Sequence, residues 1–134
     1  MEERPKLNST LCERLTSDTT IEVLIDTTDP SGGILYFGVT LWGEVSPDVQ
    51  CRIVASPDLQ SGVFSSPLFQ LLLDSLDLEV KGGGACGFSL TFCCLMVTSV
   101  EYCEERSTEM AVRLAAATAI KTFLQQATLS IDNM

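Results

Sequence analysis

The sequence contains no histidine. This absence removes the commonest general base at neutral pH, and with it the catalytic arrangements that pair histidine with a serine or a cysteine. It also removes the side chain that most often binds transition metals. We therefore expect a protein that is not an enzyme and that uses neither a cofactor nor a bound metal.

Basic residues are scarce, with 8 Lys and Arg against 18 Asp and Glu and a formal net charge of -10. They are scattered along the chain, whereas nucleic acids and anionic membranes are bound by clusters of Lys and Arg. We therefore expect no nucleic-acid partner and no membrane partner. Two interpretations of the acidity stay open. It keeps in solution a chain that is 46% hydrophobic, or it matches a basic partner.

The first residues are charged and contain no hydrophobic run, so they lack the pattern of a secretory signal, and we expect a cytoplasmic protein. The uncharged stretch from Gly82 to Val100 is long enough to cross a bilayer. Its glycine-rich start and its polar, β-branched interior instead favour a pair of strands.

The six cysteines have neither the spacing of a zinc ribbon nor that of a redox Cys-x-x-Cys pair. Without an export signal we expect reduced thiols that act as small hydrophobic residues in the core. A reactive thiol or a regulatory disulfide is the alternative. The six are Cys12, Cys51, Cys86, Cys93, Cys94 and Cys103.

Three local patterns invite a functional interpretation, and a turn explains each more simply. The run from Gly82 to Gly84 lacks the Lys and Ser or Thr of a phosphate-binding loop and precedes a strand pattern. Asp26 and Asp29 follow an apolar strand pattern, as acids do in phosphotransfer sites, but the proline and glycines behind them are typical of a turn. Three further acids lack the spacing of a metal-binding loop, namely Glu101, Glu104 and Glu105.

The first half of the chain has the periodicity of one helix and three strands. Leu7, Leu11 and Leu15 recur at every fourth residue, which predicts a short amphipathic helix from Lys6 to Thr16. Alternating apolar residues then predict strands, with a turn from Thr27 to Gly33 and a break at Ser46-Pro47-Asp48. The predicted strands are Ile21 to Asp26, Ile34 to Val45 and Val49 to Ile53.

The second half begins with a predicted helix at Pro67, capped by Ser66. Its broad leucine stripe is typical of a core helix or of a dimer interface, and both interpretations stay open. Alternation from Phe88 to Val100 changes phase at Cys93-Cys94, which predicts two short strands or one strand with a bulge.

A last helix is predicted from Thr108 to Gln126 with Ser107 as its cap, and the tail from Leu129 to Met134 is expected to fray. The predicted order is α-β-β-β-α-β-β-α within a single domain, residues 1–134. This order is typical of an α+β fold in which helices pack on a twisted antiparallel sheet.

With its elements in this order, the sequence resembles the small acidic type III secretion chaperones, which bind one effector protein in the bacterial cytosol. The resemblance covers the size, the low pI, the element order and two stretches. One is Leu-Trp-Gly-Glu-Val-Ser-Pro at Leu41 to Pro47, similar to the end of the second strand in that family. The other runs from Leu68 through the Gly82 to Gly84 turn to Val97, and joins a leucine-rich helix to paired strands.

The resemblance implies a chaperone that keeps a secreted effector extended and soluble without using ATP. It implies a dimer, formed with a second copy or a sister chaperone, through the second helix. We expect dimer contacts at Leu68, Leu72 and Leu76, and an effector surface near the first helix and the sheet edge. The expected effector contacts are Leu11, Leu15, Val23, Ile25, Leu35 and Phe37.

Two other classes of function stay open. A non-catalytic assembly or adaptor subunit of another heteromeric protein complex, which could be regulatory, would share every feature above. A small enzyme or cofactor binder that uses a cysteine or an aspartate is the other.

Overall fold

The computed structural model describes residues 11–59, 67–103 and 107–133. Within these ranges the chain forms two helices, α1 (Pro67–Val80) and α2 (Glu109–Gln126), together with six strands. The predicted α+β class is confirmed, whereas the observed order of elements differs from the predicted one. The strands are β1 (Leu11–Leu15), β2 (Thr19–Thr28), β3 (Ile34–Gln50), β4 (Arg52–Ala55), β5 (Ser89–Glu101) and β6 (Leu129–Asn133).

The strands form one mixed sheet with the order β2-β3-β5-β1-β6, and β4 pairs with β5 outside this path. The pairs β2–β3, β3–β5 and β1–β6 are antiparallel, whereas β1 and β4 both run parallel to β5. The prediction of an antiparallel sheet is therefore wrong for these two pairs. Parallel strands need a crossover connection, and the segment between β4 and β5 contains α1.

β3 and β4 lie on opposite edges of β5. β3 pairs with β5 between Thr91 and Glu101, and β4 pairs with it from Cys94 to Val97. Since a strand forms backbone hydrogen bonds only along its two edges, these overlapping pairings require opposite sides. The chain therefore crosses β5 between Gln50 and Arg52, with Cys51 at the crossing.

The predicted first helix is wrong where the structure describes it, because Leu11–Leu15 is strand β1. Leu11 and Leu15 are four residues apart, and this spacing places them on one face of a strand as well as of a helix. β1 pairs with β5 on one side and with β6 on the other, and such pairing overrides a short helical pattern. Residues 6–10 of the predicted helix lie outside the described residues.

The tail that was expected to fray forms β6 instead. It pairs antiparallel to β1 from Leu15 opposite Leu129 to Leu11 opposite Asn133. The Thr16 backbone N–H donates to the Thr128 carbonyl at 3.0 Å, so the pairing extends beyond the strand. The described part of the tail is therefore held in the sheet by β1.

The predicted break at Ser46-Pro47-Asp48 is a bulge within β3. Between the pairs Val45–Cys93 and Gln50–Thr91, β3 contributes more residues than β5. A proline is tolerated at a bulge because its missing N–H removes no ladder bond there. β5 is a single irregular strand, the second of the two predicted alternatives, and not two short strands. Its irregular residue is Phe92, which has a φ of 54°.

The turn between β2 and β3 is built around Asp29. Its carboxylate accepts hydrogen bonds from the Ser31 hydroxyl at 2.7 Å, the Ser31 N–H at 3.0 Å and the Gly33 N–H at 2.7 Å. The Ser31 hydroxyl, followed by the Gly33 N–H, lowers the pKa of the Asp29 carboxyl below its ordinary value. The predicted turn is confirmed, and Asp29 acts as a turn former.

α2 begins at Glu109, one residue after its predicted start at Thr108, and has a different cap. The Thr108 side chain accepts a hydrogen bond from the Ala111 N–H at 3.2 Å, so Thr108 is the N-cap. The Ser107 hydroxyl instead donates to the Tyr36 carbonyl at 2.6 Å, which attaches the start of α2 to β3. α1 starts at Pro67 as predicted, and its predicted cap Ser66 lies outside the described residues.

Both helices cover the same face of the sheet, and a single hydrophobic core lies between them and it. α1 contributes aliphatic side chains, and α2 contributes a row of alanines that lets the helix approach closely. The larger members of the core are Phe37, Leu41, Phe69, Leu72, Leu76, Leu95, Val97, Val112 and Phe123.

The contact between α2 and β3 depends on Gly43. A Cβ atom at this position would overlap the ring of Phe123, which is fully buried. We expect Gly43→Ala to lower the free energy of unfolding by about 2 kcal/mol, the usual cost of overpacking a core. Urea denaturation followed by circular dichroism measures this change.

Gly82→Ala is the matched control for Gly43→Ala, since the new Cβ atom would meet only the Glu79 carbonyl oxygen at 3.3 Å. Its free energy of unfolding should stay within about 0.5 kcal/mol of the unsubstituted protein. Equal losses for the two variants would contradict the role given to the Phe123 contact.

Candidate functional site

The sheet face opposite the helices carries polar and aromatic side chains. In the first part of β3 the odd-numbered residues, such as Leu35 and Phe37, lie in the core. Because neighbouring residues of a strand face opposite sides, Tyr36, Thr40 and Trp42 lie on this other face. Tyr36 and Trp42 are half-buried. Both helices that the structure describes pack on the other side, so this face is the part of the sheet they leave uncovered.

A groove of about 290 Å³ lies on this face between β2 and β5. Gly38 forms its floor, since a Cβ atom there would lie 3.0 Å from Glu101 Cβ and 3.1 Å from Leu24 Cδ1. Leu24, which also lines the groove, is 53% exposed. The missing side chain at Gly38 thus creates a depression with an exposed apolar wall.

Two carboxylates line the groove, and two more lie farther along the same face. Glu22 and Glu101 line it, and the strand registers put Asp26 opposite Tyr36 and Glu44 opposite Cys94 on the same face. The Tyr36 hydroxyl donates to Glu101 Oε2 at 2.7 Å and so orients one of these groups. We call this surface the acidic face; its members are Glu22, Leu24, Asp26, Tyr36, Gly38, Thr40, Trp42, Glu44 and Glu101.

The acidic face borders β2, which is an edge strand of the sheet among the described residues. β2 is the terminal strand of the sheet path and pairs with β3 along its whole length of 10 residues. On the outer side of β2, no strand among the described residues pairs with it. Such an edge presents a row of peptide N–H and C=O groups to its surroundings, which is the template for adding another strand.

The glycine-rich turn after α1 holds a carboxylate of the chain itself. Glu13 is 1% exposed, and its Oε2 accepts hydrogen bonds from the Cys86 N–H at 2.9 Å and the Phe88 N–H at 3.0 Å. The predicted turn at Gly82 to Gly84 is therefore a loop closed around the Glu13 carboxylate. No local pattern indicates this contact, because the periodicity around Glu13 is that of a helix.

The residues expected to contact an effector lie mainly under the helices. Leu15, Leu35 and Phe37 are 1%, 5% and 2% exposed, so in this fold they offer almost no surface to a partner. Val23 and Ile25 are half-buried and pack against the core, and Leu11 is half-buried at the start of β1. The structure thus separates this predicted set from the open face of the same strands.

The residues expected at a dimer interface belong to α1. Leu72 and Leu76 are 0% exposed within the single chain, which agrees with the core interpretation that the sequence left open. Leu68 is half-buried and packs against the same core. The dimer itself stays a prediction, and contacts between two copies would have to use other side chains than Leu72 and Leu76.

The cysteines are all free thiols in the structure. Cys12 and Cys93 are buried, as expected of small core residues, and Cys86 is exposed. Within the described ranges, no group of three or more Cys, Asp or Glu side chains is placed to hold a metal ion. No described helix is both long and apolar enough to cross a membrane.

Comparisons with known proteins support the fold alone. No protein-family model matches the sequence, and no curated protein matches it. The structure is similar to that of a Thermus thermophilus protein designated ttk003000868, with a TM-score of 0.71 and 18% sequence identity. The match covers 92% of this chain but 18% of that one, so this chain spans less than a fifth of the length of its structural neighbour.

Proposed function

We propose that this domain is a non-catalytic interaction module that binds an extended, basic segment of a partner protein along β2. The observation that carries the proposal is the outer edge of β2 beside the acidic face. The proposal takes the adaptor subunit, one of the functions that the sequence left open, and assigns it a binding site. A cytoplasmic location and the absence of catalysis are parts of the same proposal.

Strand addition supplies the first part of the binding energy. A partner segment that pairs with β2 makes backbone hydrogen bonds that any sequence can form. At 10 residues, β2 is longer than the average strand of about six residues, so its edge can pair with a long partner segment. The edge by itself gives affinity but little selectivity.

The acidic face supplies the selectivity. Side chains of an added strand alternate between the two faces of the sheet, and those on the open face come next to Glu22 and Asp26. Lysine or arginine at these alternate positions places opposite charges side by side, which favours the pair. The net charge of -10 adds long-range attraction for a basic segment and speeds its encounter with the protein.

The type III secretion chaperone is one specific form of this proposal, in which the partner is a secreted effector and the protein is a dimer. The geometry favours the general form. The resemblance rests on the predicted element order, whereas the order observed among the described residues begins with strand β1 and ends with strand β6. The fold also recurs as a minor part of a longer chain in the Thermus protein, which is the arrangement expected of a module.

A synthetic peptide tests the proposal. The probe has the length of β2, alternates lysine with valine and carries a fluorophore, and its binding is measured by fluorescence anisotropy. We expect saturable binding, with amide hydrogen exchange slowed in β2. Glu22→Lys combined with Asp26→Lys should weaken binding by at least about tenfold, because each reversal replaces an attraction with a repulsion.

Two controls separate strand addition from simple charge attraction. Glu79→Lys reverses an exposed charge on α1, away from β2, and should change the affinity far less than the β2 substitutions. A peptide of the same sequence with alternate backbone nitrogens methylated keeps its charge but loses the donors for a ladder, and it should bind weakly. Equal binding of the methylated peptide, or protection confined to other strands, would exclude β2 as the binding site.

A further inference from the structure

The crossing of the chain over β5 brings two thiols together. Cys51 lies between the pairs Gln50–Thr91 and Arg52–Cys94, so it passes over β5 next to Cys93. The side chains of Cys51 and Cys93 are hydrogen-bonded to each other, and both are free thiols. The fold thereby makes neighbours of Cys51 and Cys93, which are far apart in the sequence.

The two thiols differ in their access to solvent. Cys93 is 0% exposed and belongs to the core. Cys51 is half-buried and lines a groove of about 550 Å³, together with Asp77, Lys81 and Thr91. A small oxidant in this groove therefore meets Cys51, whereas Cys93 does not line the groove and is buried.

We propose that Cys51 and Cys93 are a site of reversible oxidation, at which hydrogen peroxide converts the two thiols into a disulfide. This inference rests on the thiol geometry and is independent of binding at β2. It develops the regulatory-disulfide alternative from the sequence by naming the pair, the oxidant and the order of the steps.

The hydrogen bond between the thiols assigns a role to each. It lowers the pKa of Cys51, against the opposing effects of burial and of the Asp77 carboxylate. The same hydrogen bond raises the pKa of Cys93, and burial raises it further. Cys51 is thus both the more exposed of the two thiols and the one whose pKa is lowered, so it more readily becomes the thiolate, which is the reactive form.

The chemistry balances in two steps. The Cys51 thiolate attacks one oxygen of hydrogen peroxide and breaks the O–O bond, which gives a sulfenic acid on Cys51 and, after protonation of the leaving hydroxide, one water. The Cys93 sulfur then attacks the Cys51 sulfur, forms the S–S bond and expels the sulfenic oxygen as a second water. In total, two thiols lose two hydrogens and one peroxide becomes two waters.

The bond would tie the β3–β4 connection to the middle of β5. A disulfide between these positions closes a loop that contains β4 and α1. Such a closure restricts the unfolded chain, and we expect a higher urea midpoint for the oxidised protein than for the reduced one. Reduction by dithiothreitol should return the midpoint to its original value.

Peptide mapping identifies the bond. The protein is treated with hydrogen peroxide, the remaining thiols are blocked with iodoacetamide, and the chain is cleaved with trypsin. We expect the peptide Leu15 to Arg52, which carries Cys51, to be linked to the peptide Gly82 to Arg106 and to be released by dithiothreitol. The second peptide carries Cys86, Cys93, Cys94 and Cys103, so variants must assign the partner.

Cys93→Ala and Cys94→Ser form the matched pair of variants. Neighbouring residues of a strand face opposite sides, so Cys94→Ser should leave the link intact and Cys93→Ala should abolish it. If Cys93→Ala fails to fold, Cys51→Ser at the half-buried position removes the same link, and Cys94→Ser still excludes the neighbouring thiol. A link that persists in Cys93→Ala, or Cys51 driven to the sulfinic acid without any link, would overturn the proposal.

Discussion

Leu72→Ala is expected to lower the free energy of unfolding by about 3 kcal/mol, whereas Leu78→Ala on the same helix should change it by less than about 0.5 kcal/mol. Both positions are leucines of α1, but Leu72 is 0% exposed and Leu78 is 70% exposed. The comparison therefore changes only the environment of the truncated side chain. Truncation of Leu72 removes buried methyl groups and leaves a cavity between α1 and the sheet. Truncation of Leu78 removes surface that is already in water.

The measurement is urea denaturation followed by the fluorescence of Trp42, the one tryptophan of the chain. It is repeated over a wide range of protein concentrations, because this range separates the two interpretations of the leucine stripe. A dimer interface makes the midpoint depend on protein concentration, since association is coupled to folding. A core position gives the same loss at every concentration.

Two results would contradict the core assignment of Leu72. One is an equal cost for Leu72→Ala and Leu78→Ala. The other is a loss at Leu72 that disappears as the protein concentration rises, as it would if a second copy covered this residue. Light scattering on the unsubstituted, reduced protein then decides whether a dimer forms through other side chains.

Elements whose signals are local were predictable from the sequence. The turn at Asp29, the start of α1 at Pro67 and the extent of α2 each depend on residues within a few positions of one another. The irregularity of β5 was also visible as a change of phase, predicted at Cys93-Cys94, and the structure has a positive φ one residue earlier, at Phe92. In each case the pattern and its physical cause lie in the same short stretch.

Elements that depend on distant partners were not predictable in this way. Leu11–Leu15 is a strand because β5 and β6 pair with it, and Leu129–Asn133 is a strand because β1 does. The parallel direction of β1 and β4 relative to β5 follows from chain crossings that leave no trace in local periodicity. The antiparallel sheet predicted from element order failed for that reason.

The candidate site was likewise predictable only in its local features. The sequence identified β2 and β3 as strands with apolar and polar sides, but it placed the binding residues on the apolar side. In the structure that side belongs to the core, as Leu35 and Phe37 show. The groove at Gly38 and the contact between Cys51 and Cys93 arise only from strand register, which a single sequence does not reveal.

The charges beside β2 also bear on self-association. Two copies that paired edge to edge through β2 would bring Glu22 and Asp26 of one close to the same acids of the other. Like charges opposite one another destabilise a strand pair, and charged residues at an edge are a recognised protection against aggregation. The acidic face thus disfavours a second copy at the site where it favours a basic segment.

Gly84→Ala is expected to destabilise the protein by about 2 kcal/mol, and Glu13→Ala should remove most of that penalty. A Cβ atom at Gly84 would overlap the Glu13 carboxylate, the nearest group that the added atom meets. Gly84, unlike Gly83 and Gly87, does not have a positive φ, so its backbone is open to alanine. The cost of the substitution therefore comes from the buried carboxylate.

Glu13→Ala alone is also costly, because the carboxylate accepts the Cys86 and Phe88 N–H groups that fix the loop. Removal of a buried charged acceptor that holds such donors costs about 2–4 kcal/mol. In the double variant the overlap at residue 84 has disappeared, so its total loss should be smaller than the sum of the two single losses by about 1–2 kcal/mol. Urea denaturation of the four proteins gives this coupling energy.

Glu13→Gln separates the volume of the side chain from its charge. The amide keeps the bulk of the carboxylate, so Gly84→Ala should remain costly in the Glu13→Gln background. If the losses at Glu13 and Gly84 add within about 0.5 kcal/mol, the two residues are independent and the loop is not closed around the carboxylate. A coupling that appears with alanine but not with glutamine shows that the glycine at position 84 is required to leave room for a buried acid from β1.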